Sequence, residues 1–305
     1  MSDIKLFSIS SKPITELQSA AVAIEKSLQS LVESELETFL GVRFLASEYS
    51  TGKVHGGRID TLGIDENGCP VIIEYKRSSN ENVINQGLFY LDWLMDHKAE
   101  LELLVMKQLG KEEAEAIEWT SPRLICIAGD YTKYDQHAVS QINRNIELIR
   151  YRKYGDEFLL LELVNAVSVA TSTTTSSVSA PANTPKEYKG FVQYLEQADQ
   201  NLLDLLGLVT TTLENFGDDV QVKQLKYYQA FKRIKNFACV EIQIGNQQIR
   251  VYAKVDPDSV QLEDGFTRDV REIGHFGTGD LEITIQNSDD LNKAFPLLEK
   301  AYLGS

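Results

Sequence analysis

The sequence predicts an α/β module, a mixed sheet flanked by helices, joined to a second small α+β domain. Three observations predict it. Helix and strand periodicities alternate through residues 1–167; a run of small, hydroxylated and proline residues follows at 168–186; and residues 187–305 carry helices, then strands, then a closing helix. A chain of 305 residues is long for one core and comfortable for two domains. Its 43% apolar and 25% charged residues exclude a wholly disordered chain and a fibre.

The first element is a helix from about Thr15, its N-cap, to Leu40, on a stripe of Leu17, Ala20, Ala21, Ile24, Leu28, Leu31, Leu36 and Phe39. Short strands follow at 42–49, 57–64 and 70–76. A long helix over 80–109, capped by Ser79 or Asn80, carries Leu88, Leu91, Leu94, Leu101, Leu104 and Val105. A strand at 123–129, a helix at 134–152 and a strand at 157–163 complete an αβββαβαβ order. The segment 168–186 lacks the apolar side chains needed to offset its ordering entropy and reads as a flexible linker. Beyond it come a helix from Tyr188 to about Gln200, its continuation through Leu202–Phe216, and strands at 239–245 and 248–255 joined at Gly245-Asn246. A strand at 281–286 and a helix at 289–302, capped by Ser288, end the chain.

No run approaches 18 apolar residues, and the first 30 residues lack the pattern of a signal peptide, so a cytoplasmic location without a membrane partner is expected. Cys69, Cys126 and Cys239 have no paired or histidine-spaced partner, which argues against a disulfide framework or a zinc site. Any metal must be held by oxygen. The net charge of −15 opposes broad attraction to nucleic acid or anionic lipid.

The informative stretch is GGRIDTLGIDENGCPVIIEYKRSS, a hairpin whose register decides the chemistry. A two-residue Asn67-Gly68 turn would put Asp60 and Glu74 on opposite faces. A three-residue loop, Glu66-Asn67-Gly68, with Gly68 left-handed, puts Asp60 opposite Glu74 and Lys76 on the same face, and is the register expected. Two carboxylates facing each other on a largely apolar sheet repel, and a divalent cation would remove that cost. Oxygen ligands with room for water suit Mg²⁺ or Mn²⁺, and phosphodiester hydrolysis is the chemistry such a cluster serves best, with the lysine ammonium orienting water or stabilising charge. The plainer alternative is an exposed charged row with a cross-strand ion pair. Gln86 and Tyr90 follow at i and i+4 on one helix face, with Gly87 between them permitting close backbone approach, and Glu33, Glu35 and Glu37 lie upstream.

Residues 28–94 resemble the PD-(D/E)xK nuclease superfamily, whose core is a restriction-endonuclease-like αβββαβ unit. The resemblance rests on Glu33-x-x-Leu36-Glu37, Gly57-Arg58-Ile59-Asp60, Ile73-Glu74-Tyr75-Lys76-Arg77 and Gln86-x-x-x-Tyr90, which are similar to mismatch- and branch-specific endonucleases and to RecB-type nucleases. One departure is Ile59, where the superfamily has proline. The resemblance implies a DNA endonuclease of repair or defence, with Asp60 and Glu74 holding the metal and Glu37 as the helix carboxylate nearest it. Lys76 would serve the attacking water, and Gln86 with Tyr90 would support the site or touch the DNA backbone. A homodimer would supply the two sites that cutting both strands requires.

Residues 190–305 resemble a domain of unknown function often fused to such modules, through Lys232-Arg233-x-Lys235-Asn236-Phe237-Ala238-Cys239 and the glycine-rich Gly274-His275-Phe276-Gly277-Thr278-Gly279. That resemblance assigns no chemistry. Lys223, Lys226, Lys232, Arg233 and Lys235, with Tyr227 and Tyr228, are candidate nucleic-acid contacts; the alternative is a basic helix surface with half-buried tyrosines. His275 reads as a hydrogen-bonded turn histidine before a catalytic one. A second function class stays open: a non-catalytic nucleic-acid- or protein-binding module that keeps the nuclease fold.

Overall fold

The computed structural model describes residues 4–10, 12–20, 25–76, 83–167 and 190–305, and divides into two compact units at Val169/Ala170. The 168–186 linker, Arg77 and the Ser79/Asn80 cap lie outside the described residues.

The first unit contains strands β1 (Leu6–Ser8), β2 (Thr15–Leu17) and β3 (Ser19–Ala20), then helices α1 (Glu25–Ser34) and α2 (Leu36–Leu40). Strand β4 (Val42–Ser50), the single-turn helix α3 (Gly52–His55), β5 (Arg58–Asp65) and β6 (Pro70–Lys76) follow. Helices α4 (Val83–Asp96), α5 (Lys98–Gln108) and α6 (Lys111–Glu115) lead to β7 (Arg123–Ala128), α7 (Lys133–Ser140), β8 (Asn145–Tyr154) and β9 (Phe158–Val167). The mixed sheet runs β3-β8-β7-β6-β5-β4, with β9 also on β8. Strands β6, β7 and β8 are mutually parallel, and the outer pairings are antiparallel. Every residue of β7 is buried, as expected for a parallel strand covered on both faces.

In this unit three expectations need correction. Thr15 caps no helix: Thr15–Leu17 pairs with Leu6–Ser8 as a small hairpin, and the described helix begins at Glu25. The expected 80–109 helix is two helices that meet at His97, whose ring Nδ1 bonds the Trp93 carbonyl at 2.8 Å and whose imidazole stacks on Trp93. The expected 134–152 helix stops at Ser140. NIELIRYRKY is instead strand β8, where alternation of Ile146, Leu148 and Arg150 against Glu147, Ile149 and Tyr151 overrides the helical reading.

A buried ionic cluster ties the strands on the side away from the hairpin's open end. The Arg123 guanidinium donates from Nε and Nη2 to the Glu147 carboxylate, both at 2.8 Å, and from Nη1 to Asp65 at 2.9 Å. Asp65 also accepts from the backbone N–H groups of Asn67 and Cys69, which fixes the tight loop between β5 and β6.

The second unit is a six-stranded antiparallel sheet with helices on one face. Its elements are α8 (Phe191–Gln197), α9 (Gln200–Glu214), β10 (Gln221–Gln224), β11 (Gln229–Lys232), β12 (Asn236–Gln243), β13 (Gln248–Ala253), β14 (Thr267–Asp269), β15 (Leu281–Ile285) and α10 (Ser288–Leu303), in sheet order β10-β11-β12-β13-β15-β14. Val240, Ile242, Val251 and Ile283 pack in the core with Leu206, Val209 and Leu298 of the helices. The basic aromatic run forms β10, β11 and the turn between them, with no helix. The β12–β13 turn spans Ile244–Gln247 with Gln247 left-handed at φ 50°, so neither Gly245 nor Asn246 takes the strained position. Asn287, not Ser288, caps α10, accepting from Asp289 and Asp290 N–H. Among the described residues no helix is long and apolar enough to cross a membrane.

Candidate functional site

The site lies where the β5–β6 ladder ends. Pairing runs Ile64–Pro70, Gly63–Val71, Leu62–Ile72, Thr61–Ile73, and Gly68 closes the three-residue loop at φ 76°. Asp60 and Glu74 are next in line, beyond the last backbone pair. Their carboxyl groups take over the ladder: Glu74 Oε1 accepts from the Asp60 N–H at 3.2 Å, and Asp60 Oδ2 accepts from the Tyr75 N–H at 3.0 Å. The expected register holds, and both acids are on one face.

Their environments differ sharply from water. Glu74 has no exposed surface, and its Oε2 has no hydrogen-bond partner among the described residues. Burial, then the neighbouring Asp60 charge, push its carboxyl up to about 9. Burial also raises Asp60, against the lowering effect of the Tyr75 N–H and Lys76. Without a cation this pair holds a proton at neutral pH. Lys76 behaves oppositely. Burial alone would lower it, but a 3.0 Å ion pair with Glu25 of α1 and the nearby acids raise it, so it is an ammonium and cannot act as a neutral base.

Helix α1 and strand β4 complete the surroundings with Glu33, one of the three upstream glutamates, and with Glu25, Gln29 and Glu48, which the sequence did not single out. Gln29 Nε2 donates to the Asp60 carbonyl at 2.7 Å, and Glu33 accepts from Gln29 and from Thr61 Oγ1. A buried glutamine beside Leu28 and Val32 on an amphipathic face was the available sequence signal; nothing marks the Glu25–Lys76 pair. Glu48 adopts φ 51°, a left-handed conformation unusual for a glutamate. Its carboxylate bonds Lys26 at 2.8 Å and Arg58 at 3.0 Å, and the Lys26 bond holds its carboxyl below the usual value. Asp60 opens onto a cleft of about 640 Å³ edged by Glu48, Lys53, Arg58, Gln86 and Tyr90.

Gln86 and Tyr90 are therefore brought to the site. Tyr90 OH accepts from the Arg58 N–H at 3.1 Å and from Gln86 Nε2 at 3.2 Å. Gly57 is required here, because a Cβ would sit 2.4 Å from the Tyr90 ring. Gly87 serves packing: its missing Cβ lets α4 rest on Leu124 of β7. Glu37 is not brought in. It is exposed in α2, and among the described residues no three His, Cys, Asp or Glu side chains form a metal-holding group. The two carboxyls, with the orphaned buried Glu74 oxygen, still fit a small hard cation that keeps water and substrate oxygens as its other ligands.

In the second unit the expected basic patch is dispersed. Lys223 and Lys232 are only 6% and 3% exposed, Arg233 is paired with Asp219 at 2.6 Å, and Lys226 lies over the Tyr227 ring. Once β10 and β11 form, alternate residues turn inward, so the run cannot present one charged surface. Lys235 is half-buried in the β11–β12 turn.

Residues 192–304 match a family described as a domain of unknown function, DUF5655. Across the chain, a curated relative from Haemophilus influenzae (strain Rd), described as an uncharacterized protein, is 26% identical over 312 residues, covering 98% of this chain and 99% of its own. Among solved structures, the EndoMS–dsDNA2 complex covers 44% of this chain and 47% of its own at 18% identity and a TM-score of 0.26; EndoMS in apo form covers 45% and 51% at 17% identity and a TM-score of 0.24. The chain thus spans about half the length of the solved structures it matches.

Proposed function

We propose that the first unit is a Mg²⁺- or Mn²⁺-dependent nuclease hydrolysing phosphodiester bonds of DNA. The observation that supports this most is the Asp60–Glu74 pair: two adjacent carboxyls on an apolar sheet, one with a buried oxygen that lacks a partner, beside a lysine kept cationic. Asp60 and Glu74 would hold the cation, which, when bound, supplies Lewis acidity at the phosphate and lowers the pKa of a water. Lys76 then steadies negative charge on the phosphoryl oxygens or orients the attacking water as a donor. For that it must exchange Glu25 for substrate. Tyr90 and Gln86 hold the Gly57–Arg58 backbone along the cleft, where Lys53, and Arg58 on exchanging Glu48 for substrate, would meet strand phosphates. A role in repair or defence, in the cytoplasm and as a homodimer, is consistent with this reading.

The test is incubation with branched, mismatched, single-stranded and plasmid DNA, with Mn²⁺ and then with chelator. Cleavage lost on chelation and in Glu74→Gln supports the proposal; cleavage that survives either defeats the metal mechanism. One observation favours a non-catalytic binding module instead: the net charge of −15, with Glu25, Glu33 and Glu48 around the site. Absence of cleavage on all four substrates, together with no bound Mn²⁺, would select that reading.

A further inference from the structure

The glycine-rich segment after β14 builds a second site, in the other unit, independent of the proposed nuclease chemistry. One face of that unit's sheet is apolar and covered by α9 and α10. The register puts polar residues together on the other face: Glu241 opposite Arg250, Tyr252 opposite Glu282, and Arg268 opposite Glu282. The segment 270–280 crosses this face. Gly277 and Gly279 make that possible, since with φ of 81° and 142° their Cβ positions would fall 2.7 Å from Cys239 and 2.5 Å from the Tyr252 backbone. The crossing is pinned by two ring stacks, His275 on Tyr252 and Phe276 on Tyr227, each at 4.3 Å between centroids.

Between segment and sheet lies a cleft of about 660 Å³, the size of a small-molecule site. Two of its cations share one carboxylate. Both Arg250 and Arg268 lean on the single Glu282 carboxylate, at 3.8 and 2.8 Å. Arg250 Nε is a buried donor with no hydrogen-bond partner among the described residues; His275 Nδ1 donates to the Ile273 carbonyl, and its Nε2, also buried and without a partner there, is a donor only when the ring is an imidazolium. The second acid, Glu241, is already bonded by the Gln243 amide, and burial pushes its carboxyl upward, toward the neutral form. Buried donors left open cost stability unless a ligand closes them. Two guanidinium forks suit a tetrahedral oxyanion, which His275 joins as a donor in its imidazolium form, and the tyrosines Tyr194 and Tyr227 lining the cleft suit an aromatic body attached to it.

We propose that this cleft binds a nucleoside phosphate, with the phosphate on Arg250, Arg268 and His275 and the base among the tyrosines. The shared chemistry has two sources, a free mononucleotide or the phosphorylated end of a strand. The experiment is calorimetry on the full chain in chelator, so that the first unit's site is silent, with AMP, GMP, CMP, UMP, the matching nucleosides, inorganic phosphate, and trinucleotides with and without a 5′-phosphate. Expected is binding of at least one mononucleotide at least tenfold tighter than its nucleoside and inorganic phosphate. Arg250→Gln, Arg268→Gln and His275→Gln should each weaken it tenfold or more, while Asp60→Asn leaves it unchanged. Arg268→Gln keeps the test open should Arg250→Gln fail to fold, because the Arg268 side chain is half exposed. A phosphorylated trinucleotide binding tighter than any mononucleotide supports the proposal and assigns the strand-end source. No binding at millimolar probe, inorganic phosphate binding as tightly as a mononucleotide, or affinity untouched by the arginine and histidine variants overturns it.

Discussion

Replacing Glu74 by glutamine should stabilise the metal-free first unit at alkaline pH while destroying the proposed cation site. Glu74 has no exposed surface and faces Asp60, and its carboxyl is raised to about 9 from an ordinary value near 4.5. A folded-state pKa above the unfolded one means that the folded chain holds a proton the unfolded chain has released. The associated stability is full below about pH 4.5 and is lost as pH rises through 9. At about 1.4 kcal/mol per pKa unit the upper bound is on the order of 6 kcal/mol, and relaxation and water entry reduce it to roughly 2–4 kcal/mol. Both tryptophans, Trp93 and Trp119, belong to the first unit, so their fluorescence in urea reports on that unit alone. In chelator, the wild-type midpoint should fall steeply from pH 6 to pH 9, and that of Glu74→Gln much less, the two crossing within this window. A variant as pH-sensitive as the wild type, or less stable than it at pH 9, would refute the assignment of the buried proton to this pair.

Other substitutions separate chemistry from architecture. Lys76→Met should lower cleavage by about two orders of magnitude or more while retaining Mn²⁺, because the ammonium acts on developing charge and not on the cation; single-turnover rates and calorimetry check it. Tyr90→Phe leaves the Arg58 N–H and the Gln86 amide without their acceptor and should cost about 1–3 kcal/mol in urea melts. Gly57→Ala, which drives a Cβ into the Tyr90 ring, should cost a similar ~1–3 kcal/mol and weaken cleavage with it. Arg123→Met strands Asp65 and Glu147 as buried charges and should cost about 3–5 kcal/mol, read by the same tryptophan signal.

The order and faces of the hairpin were legible because Gly68 after Asp65-Glu66-Asn67 has a local conformational meaning, and because period-two alternation then fixes every side chain beyond it. The helix carboxylate was not legible. Glu33, Glu35 and Glu37 differ only in helical phase, and the break between α1 and α2 at Glu35 resets that phase, turning Glu37 to solvent and Glu33 toward Thr61. Strand β8 was misread because its alternating residues also satisfy a helical stripe, and the parallel neighbour that decides between them, β7, is remote in sequence. The same holds for the basic run of the second unit. The spacing of Lys223, Lys226, Lys232 and Lys235 suggests a helix face, yet β10 pairs with β11 and β11 with Asn236–Gln243, which makes the run strands and buries Lys223 and Lys232. Glu48 and Glu25 reach the site only through long-range folding, so no local pattern could announce them.

The most direct measurement is Mn²⁺ binding, followed by electron paramagnetic resonance at pH 8 on the full chain and on Asp60→Asn, Glu74→Gln and Glu37→Gln. A cation held by Asp60 and Glu74 predicts a bound Mn²⁺ that disappears in the first two variants and survives in the third. Binding that persists in Asp60→Asn and Glu74→Gln, or that is lost only with Glu37→Gln, would contradict it.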